Sequence, residues 1–255
     1  MKSVVIALMV ALFASSSAIA QRLNYTGSST IGKFISASKP IYGKLLFNIS
    51  TISESEGGER CILKQRCDLG GVAREVDARI LAQGVSKTLI GSDTVAVIVN
   101  SANPVDSLTR EQVKGLFTGK IVNWSEVGGD DRPVKAFVVR DNSATYGVFR
   151  EIILGESEYR GTTMLKFDAK MIPQVVNEAG AIGQITSAFL LEIPRVKAVA
   201  VDGIYPDDKS GAYPITRPLY LLTSGKPEGE VKAYLDWVVS EPGQAVVRQF
   251  FGGIQ

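Results

Sequence analysis

The sequence predicts an α/β fold built around mainly parallel sheets. Short apolar segments that resemble buried strands alternate with segments of helical periodicity along the chain, and this alternation is typical of repeated strand–helix–strand units. The run at 94–100, TVAVIVN, is almost continuously apolar, as expected for a strand that is buried on both faces. No internal repeat or low-complexity segment interrupts the pattern.

The first twenty residues are expected to lie outside the fold. Lys2 precedes an apolar run at 4–13, and Ala18 and Ala20 form a small-residue cleavage site, which together indicate a secretory signal peptide at 1–20. The apolar run is too short to span a bilayer. We therefore expect cleavage after Ala20 and a soluble, periplasmic mature chain; a retained N-terminal anchor is the alternative.

The predicted elements then follow in order. Helical periodicity and capping signals predict helices at 31–42, 59–65, 109–116, 143–154, 171–178, 228–240 and 243–250. Apolar runs predict strands at 44–52, 68–72, 94–100, 134–139, 180–185, 196–201 and 219–222. Thr109 is the expected N-cap of its helix, and Pro218 precedes the last strand.

Composition excludes several classes of function. The 255 residues carry a net charge of +2 with acidic and basic residues interspersed, so the basic stripe that nucleic acid or an anionic membrane requires is lacking. The chain has no histidine and two cysteines, which argues against a transition-metal site and against histidine-based catalysis.

The two cysteines, Cys61 and Cys67, lie six residues apart. In an oxidising compartment this spacing favours a local disulfide. On one continuous helix the two side chains would point to different faces, so the helix would have to end between them. Two free thiols are the alternative, because a disulfide demands strict geometry.

Three loops rich in hydroxyl groups carry the strongest functional signal. They are Gly27-Ser28-Ser29-Thr30, the stretch 53–58 (SESEGG), and Ser143-Ala144-Thr145, which follows Arg140. Each follows an extended stretch and precedes a helix, where free backbone N–H groups and the helix dipole favour anions.

Arg140 can hold two oxygens of a tetrahedral anion at once. Each of these residues also has a purely structural interpretation. The hydroxyl groups could serve only to cap helices, and Arg140 could form a surface ion pair with Asp141. Asp68, a further candidate acceptor, could be an acid that only stabilises a turn.

Five motifs resemble the phosphate-binding periplasmic proteins of ABC transporters. They are TGSSTI at 26–31, CDLGGVARE at 67–75, LTREQVKGLFTGKIVNWSEVGG at 108–129, GAIGQI at 180–185 and YPITRPLYLLT at 213–223. The resemblance implies a two-lobed, type II periplasmic-binding-protein fold with crossover hinge strands near 92–94 and 202–211. Lobe I would comprise 21–93 with 203–255, lobe II would comprise 94–202, and the ligand cleft would lie between them.

The resemblance also implies a ligand set and a role. The expected ligand-binding residues are Thr30, Ile31, Ser55, Asp68, Arg140, Ser143, Ala144 and Thr145. The protein would be a monomer without a cofactor that binds inorganic phosphate and delivers it to an ABC permease.

Asp68 is the residue expected to discriminate between anions. Hydrogen phosphate can donate its proton to a carboxylate, whereas sulfate cannot and would meet an unpaired acceptor and a like charge. Glu54 and Glu56 flank Ser55 and would oppose an anion, so both are expected to face solvent.

Two other functions are weighed against this one. A binding-fold protein could serve another tetrahedral oxyanion, or be repurposed for adhesion or signalling. A hydrolase could use a loop serine, but the chain has no histidine to act as its base and these loops hold no Ser-x-x-Lys motif.

Overall fold

The computed structural model describes residues 22–190, 195–207 and 212–254. The strands are β1 (Arg22–Gly27), β2 (Leu46–Ser50), β3 (Leu69–Val72), β4 (Val85–Asn100), β5 (Ser107–Leu108), β6 (Lys135–Val139), β7 (Thr162–Leu165), β8 (Ala181–Thr186), β9 (Val196–Ala198), β10 (Ala200–Val201) and β11 (Thr216–Ser224). The helices are α1 (Ser29–Tyr42), α2 (Glu54–Leu63), α3 (Ala78–Leu81), α4 (Arg110–Phe117), α5 (Ala144–Phe149), α6 (Met171–Asn177), α7 (Gly229–Val239) and α8 (Glu241–Val247).

Most of the described strands form one continuous mixed sheet in the order β2-β1-β3-β11-β4-β8-β6-β7, with β9 also pairing with β4. The β1, β2 and β3 strands are mutually parallel, and β6 is parallel to both β7 and β8. The strand β11 runs antiparallel to β3 and β4. The predicted α/β class is therefore confirmed, with antiparallel pairs confined to the middle of the sheet and to β9.

The long strand β4 passes from one hydrophobic core to two others, and β11 pairs with the first part of β4. Ile90 of β4 and Leu219 of β11 pack into a core formed mainly by the N- and C-terminal segments. Further along β4, Val97 faces a second core while Ile98 faces a third on the opposite face of the sheet. The apolar run of β4 is thus buried on both faces, as its sequence predicts.

The C-terminal tail is fastened to β4 close to this crossing. Gly252 and Ser92 exchange two backbone hydrogen bonds of 2.8 and 2.9 Å. The Gln244 side chain of α8 also donates to the Ile90 carbonyl at 3.1 Å. The end of the chain therefore supports the strand that connects the cores.

Local signals fixed several element boundaries as predicted. Thr109 forms a capping box with Gln112 at the start of α4. Cys61 and Cys67 are joined by a disulfide with Cα atoms 5.7 Å apart, and α2 ends between them at Leu63.

Several boundaries differ from the sequence prediction: β11 begins at Thr216 and not at 219, and α5 ends at Phe149 and not at 154. Helix α2 begins at Glu54 and not at 59, β4 begins at Val85 and not at 94, and the strand expected at 196–201 is divided into β9 and β10. The predicted signal peptide at 1–20 lies outside the described residues. Within the described residues, no helix has the length and apolar character needed to cross a bilayer.

Candidate functional site

The first hydroxyl loop is held where β1 meets α1. Gly27 ends β1 with φ 143°, and a Cβ atom added there would lie 2.3 Å from the carbonyl oxygen of Gly71, so only glycine fits this approach of β1 to β3. Ser28 then donates its N–H to the same carbonyl at 2.9 Å. This places Thr30 and Ile31, both buried, in the first turn of α1.

The second loop forms the first turn of α2. The Ser55 hydroxyl is buried and accepts the N–H of Ala73, which follows β3, at 3.2 Å. Glu56 is exposed and pairs with Arg60 one turn later. The expectation that Glu56 faces solvent is confirmed.

Glu54 does not face solvent, and that expectation is wrong. Its side chain is folded inward, the residue is 6% exposed, and its Oε2 accepts the Ser29 N–H at 2.9 Å. The inward position follows from the early start of α2, where Glu54 has φ 50°. Burial and the charge of Asp168 together raise the pKa of Glu54 to about 7.

The third loop connects β6 to α5. Ser143 is the N-cap of α5, and its hydroxyl accepts the Thr145 N–H at 3.3 Å. The hydroxyls of Ser143 and Thr145 both donate to Oδ2 of Asp168, at 3.0 and 3.3 Å. Ala144 begins the helix and is buried beside them.

Asp168 was not among the residues expected from sequence. It lies in the turn before α6, and it is 3% exposed. Burial raises its pKa, and the bonds from Ser143 and Thr145 and the charge of Arg217 only partly oppose that rise.

Arg217 of β11 joins the first and third loops. Its Nη2 donates to the Thr30 hydroxyl at 3.2 Å, and its Nη1 donates to the Thr145 hydroxyl at 3.0 Å. The same guanidinium forms a buried ion pair with Asp93 of β4 at 2.7 Å. Sequence reasoning missed both charged residues, because each lies just outside a predicted strand, at 94–100 and 219–222, and their pairing is visible only in the structure.

Arg140 follows β6 and is half-buried. Its guanidinium carbon lies 5.7 Å from the centre of the Phe167 ring, a distance typical of a cation–π contact. Its Nε is buried and has no hydrogen-bond partner among the described residues. The N–H on this atom is therefore available for a polar ligand.

Asp68 lies elsewhere, contrary to the sequence expectation. It precedes β3, and its Oδ2 accepts both the backbone N–H and the side-chain amide of Asn24, at 2.7 and 3.1 Å. The three hydroxyl loops lie at the carboxyl ends of β1, β2 and β6. The strand β3 runs parallel to β1, so Asp68, which precedes β3, lies at the opposite edge of the sheet. Three residues of extended chain lie between Asp68 and Val72, which places the two Cα atoms about 13 Å apart.

The assembled site therefore contains hydroxyl and N–H donors, the buried carboxyl groups of Glu54, Asp168 and Asp93, and the guanidinium of Arg217. In the part of the chain that the structure describes, no group of three or more potential ligand side chains could hold a metal ion. The arrangement suits the binding of a small polar molecule that both donates and accepts hydrogen bonds.

Comparison with known proteins assigns the family. Residues 14–242 match the profile of a family described as the PBP superfamily domain. The chain belongs to the PBP superfamily. A phosphate-binding protein PstS from Bacillus subtilis is 30% identical over 169 residues, which cover 62% of this chain and 55% of that relative. The chain thus matches about half the length of this relative. The PstS protein of Borreliella burgdorferi is 23% identical over 248 residues, covering 90% of this chain and 88% of that protein.

Solved structures of the same superfamily share the fold. A candidate phosphate ABC transporter substrate-binding protein from Clostridium perfringens, solved with bound phosphate, has a TM-score of 0.84 at 24% identity, covering 92% of this chain and all of that one. An ABC-type phosphate transport receptor from Vibrio cholerae has a TM-score of 0.72 at 19% identity, with the same coverage. These matches confirm the predicted type II periplasmic-binding-protein fold.

Proposed function

We propose that this protein is a substrate-binding protein that captures inorganic phosphate and delivers it to an ABC permease. The observation that carries the proposal is the convergence of the three hydroxyl loops, which are far apart in sequence, on one buried position. The hydroxyls of Thr30 and Thr145 both accept hydrogen bonds from the guanidinium of Arg217. Glu54 of the second loop accepts a hydrogen bond from the backbone N–H of Ser29 in the first loop. The PstS names of the relatives agree with this function.

The proposed ligand set follows from the loops. It comprises Thr30, Ile31, Ser55, Arg140, Ser143, Ala144 and Thr145, which offer hydroxyls, backbone N–H groups at helix starts and a guanidinium. The ligand is bound without any covalent step, so the protein is a receptor and not an enzyme.

Selection against sulfate falls to the buried carboxyl groups and not to Asp68. Glu54 and Asp168 are the acids that lie among the donors. At and above pH 7, where at least half of the Glu54 side chains are ionised, the carboxylate repels a fully deprotonated anion but accepts a hydrogen bond from a protonated one. Hydrogen phosphate carries that proton near neutral pH, and sulfate does not.

The lobes are part of the same proposal. Lobe I comprises 21–93 and the C-terminal segment, lobe II begins at 94, and closure about the two crossing strands encloses the anion. Tyr213 and Ile215 pack with the second core, which supports a return boundary near Thr216 in place of the 203 that the resemblance implies. We further propose export after cleavage at Ala20 and action as a monomer in the periplasm.

Titration calorimetry against phosphate, arsenate, sulfate and molybdate tests this function. We expect saturable phosphate binding with one site per chain and little or no sulfate binding. The variant Thr145→Val removes a hydroxyl from the site and should weaken phosphate binding by about tenfold, the value of one hydrogen bond to a charged group. Thr163→Val, on the exposed side of β7, is the matched control and should bind as the unmodified protein does.

The result also decides between phosphate and another oxyanion. No binding of phosphate, with binding of molybdate or sulfate, would reject the proposal in favour of a different tetrahedral anion. Equal loss in Thr145→Val and Thr163→Val would reject the assignment of the site. The acidic groups favour an anion that retains a proton, so arsenate is the competing ligand that the geometry fits next best.

A further inference from the structure

Arg217 lies where β11 pairs with β4, the strand that runs from the first core to the second and third. It lies on β11, where it pairs in register with Asp93 of β4, and the adjacent pair is Thr216 with Thr94. The residue is 3% exposed, although arginine is almost never fully buried without a partner. A buried charge at this place needs a structural or functional reason.

One edge of the guanidinium is satisfied by Asp93. The Arg217 Nε donates to Oδ2 of Asp93 at 2.9 Å, and Nη2 lies 2.7 Å from the same oxygen. The other oxygen of Asp93 accepts the Thr186 hydroxyl at 2.7 Å. These contacts fix the plane and the direction of the guanidinium.

The remaining N–H groups point away from Asp93, toward the two halves of the site. Nη1 reaches the Thr145 hydroxyl after β6, and Nη2 reaches the Thr30 hydroxyl after β1. Neutral hydroxyls are weaker acceptors for a guanidinium than an oxyanion is. An anion oxygen placed between these two hydroxyls would therefore take the N–H groups of Arg217.

We propose that Arg217 is an anion-binding residue, which contacts the ligand from the hinge while Thr30 and Thr145 contact it from the two lobes. This inference rests on the proposed function. The two N–H groups are spaced to bind two oxygens of a tetrahedral anion. The buried ion pair with Asp93 fixes the orientation of the guanidinium before the ligand binds.

The charges of the site support this role. Glu54 and Asp168 both lie among the donors, and Asp93 adds a third carboxyl group. Without Arg217 in direct contact, an anion at this position would meet these carboxyl groups with Arg140 as the one cation of the proposed ligand set to oppose them. Arg217 supplies the opposite charge, and it is the cation whose field reaches both Glu54 and Asp168.

The role has a consequence for closure. Because Arg217 lies on a crossing strand, its position does not depend on either lobe alone. Both the first and the third loop reach the guanidinium in this structure, so an anion bound to Arg217 at this place would stabilise the arrangement in which both loops contact it.

The test is the phosphate affinity of the double variant Asp93→Asn/Arg217→Gln, measured by calorimetry. This variant removes both charges of the buried pair and keeps similar side-chain shapes, so no carboxylate is left unpaired in the core. We expect phosphate binding to weaken by about 100-fold or more, as for the loss of a buried, hydrogen-bonded charge contact. The control is Arg110→Gln/Asp202→Asn, which removes an exposed Arg–Asp pair and should leave the affinity unchanged.

A second variant protects the test against misfolding. Arg217→Lys retains the charge beside Asp93 but cannot present two N–H groups in one plane, and it should weaken phosphate binding by about tenfold. Phosphate affinity equal to that of the unmodified protein, in either Arg217 variant, would overturn the proposal. If the unmodified protein does not bind phosphate, the proposed function itself fails, which is a different outcome.

Discussion

The buried acid Glu54 should make the stability of the unliganded protein fall as the pH rises. Its pKa is raised from an ordinary 4.5 to about 7 in the folded protein, a difference of about 2.5 units. At about 1.4 kcal/mol per unit, this corresponds to about 3 kcal/mol. Because the folded pKa exceeds the unfolded one, the contribution is fully present below pH 4.5 and is lost as the pH rises through 7.

The variant Glu54→Gln isolates this effect. Glutamine keeps an oxygen that can accept the Ser29 N–H but cannot ionise. The unmodified protein should lose about 3 kcal/mol of unfolding free energy relative to this variant between pH 4 and pH 9. In a chain of this size, such a difference corresponds to a relative shift in melting temperature of roughly 6–12 °C.

The charged and titratable groups around Glu54 shift its pKa in opposite directions. Arg217 lowers the pKa of Glu54, and the charge of Asp168 raises it. The Tyr25 hydroxyl, whose own pKa is raised well above 10 by burial and by Glu54, stays neutral across this range. Removal of the Glu54 charge also removes its repulsion of the Asp168 carboxylate. The unfolding free energy of the variant should therefore depend even less on pH.

The assay is urea unfolding without phosphate at several pH values. Glu56→Gln, on the same helix but exposed and paired with Arg60, is the matched control and should follow the pH profile of the unmodified protein. Parallel profiles for the unmodified protein and Glu54→Gln would refute the reasoning, because they would mean that Glu54 is ionised in the folded state at no cost.

Two further predictions concern Asp68 and the disulfide. Asp68→Asn should leave the ratio of phosphate to sulfate affinity, measured by calorimetry, unchanged. The reason is that Asp68 accepts hydrogen bonds from Asn24 at the far end of β3. A smaller ratio in the variant would mean that Asp68 does belong to the binding site. Replacement of Cys61 and Cys67 by serine should lower the unfolding free energy by about 2 kcal/mol, the entropy of closing so short a loop. Urea unfolding with an unchanged midpoint would contradict that value.

The sequence predicted the fold and most donors of the site because both follow from local signals. Alternating apolar runs indicated the α/β class, and hydroxyl residues before helices marked the loops that contain Thr30, Ser55 and Thr145. Such patterns predict the local structure of a short segment. The prediction is correct wherever the local preference of the segment agrees with its tertiary packing.

The carboxyl groups were harder to place because their positions depend on where strands and helices end. The glycines at 57 and 58 lower helix propensity, so the sequence placed the start of α2 after them; the structure starts it at Glu54 and turns that acid inward. Asp68 was predicted to begin the strand at 68–72, and β3 begins one residue later at Leu69, so the prediction of Asp68 as a ligand failed although its place in the chain was nearly right. A shift of a few residues at the start of α2 is what moved Glu54 into the site.

Arg217 was missed for a related reason. Pro218 made the strand appear to begin at 219, which left Arg217 in a connecting segment. In the structure β11 begins at Thr216, and Arg217 is paired with Asp93 inside the sheet. Long-range pairing of two charged residues on different strands leaves no local pattern in the sequence.

The attachment of the C-terminal tail to β4 makes this end of the chain a place to attach a reporter. Gly252 is hydrogen-bonded to Ser92, the residue before Asp93. A fluorescent protein fused after residue 255 would therefore be tethered beside the strand that would bend in the proposed lobe closure. Its emission would then follow domain motion without a label in the cleft. The same attachment means that shortening the chain before Gly252 would expose backbone groups of Ser92 at the crossing, so a truncated form would be a poor starting point for a sensor.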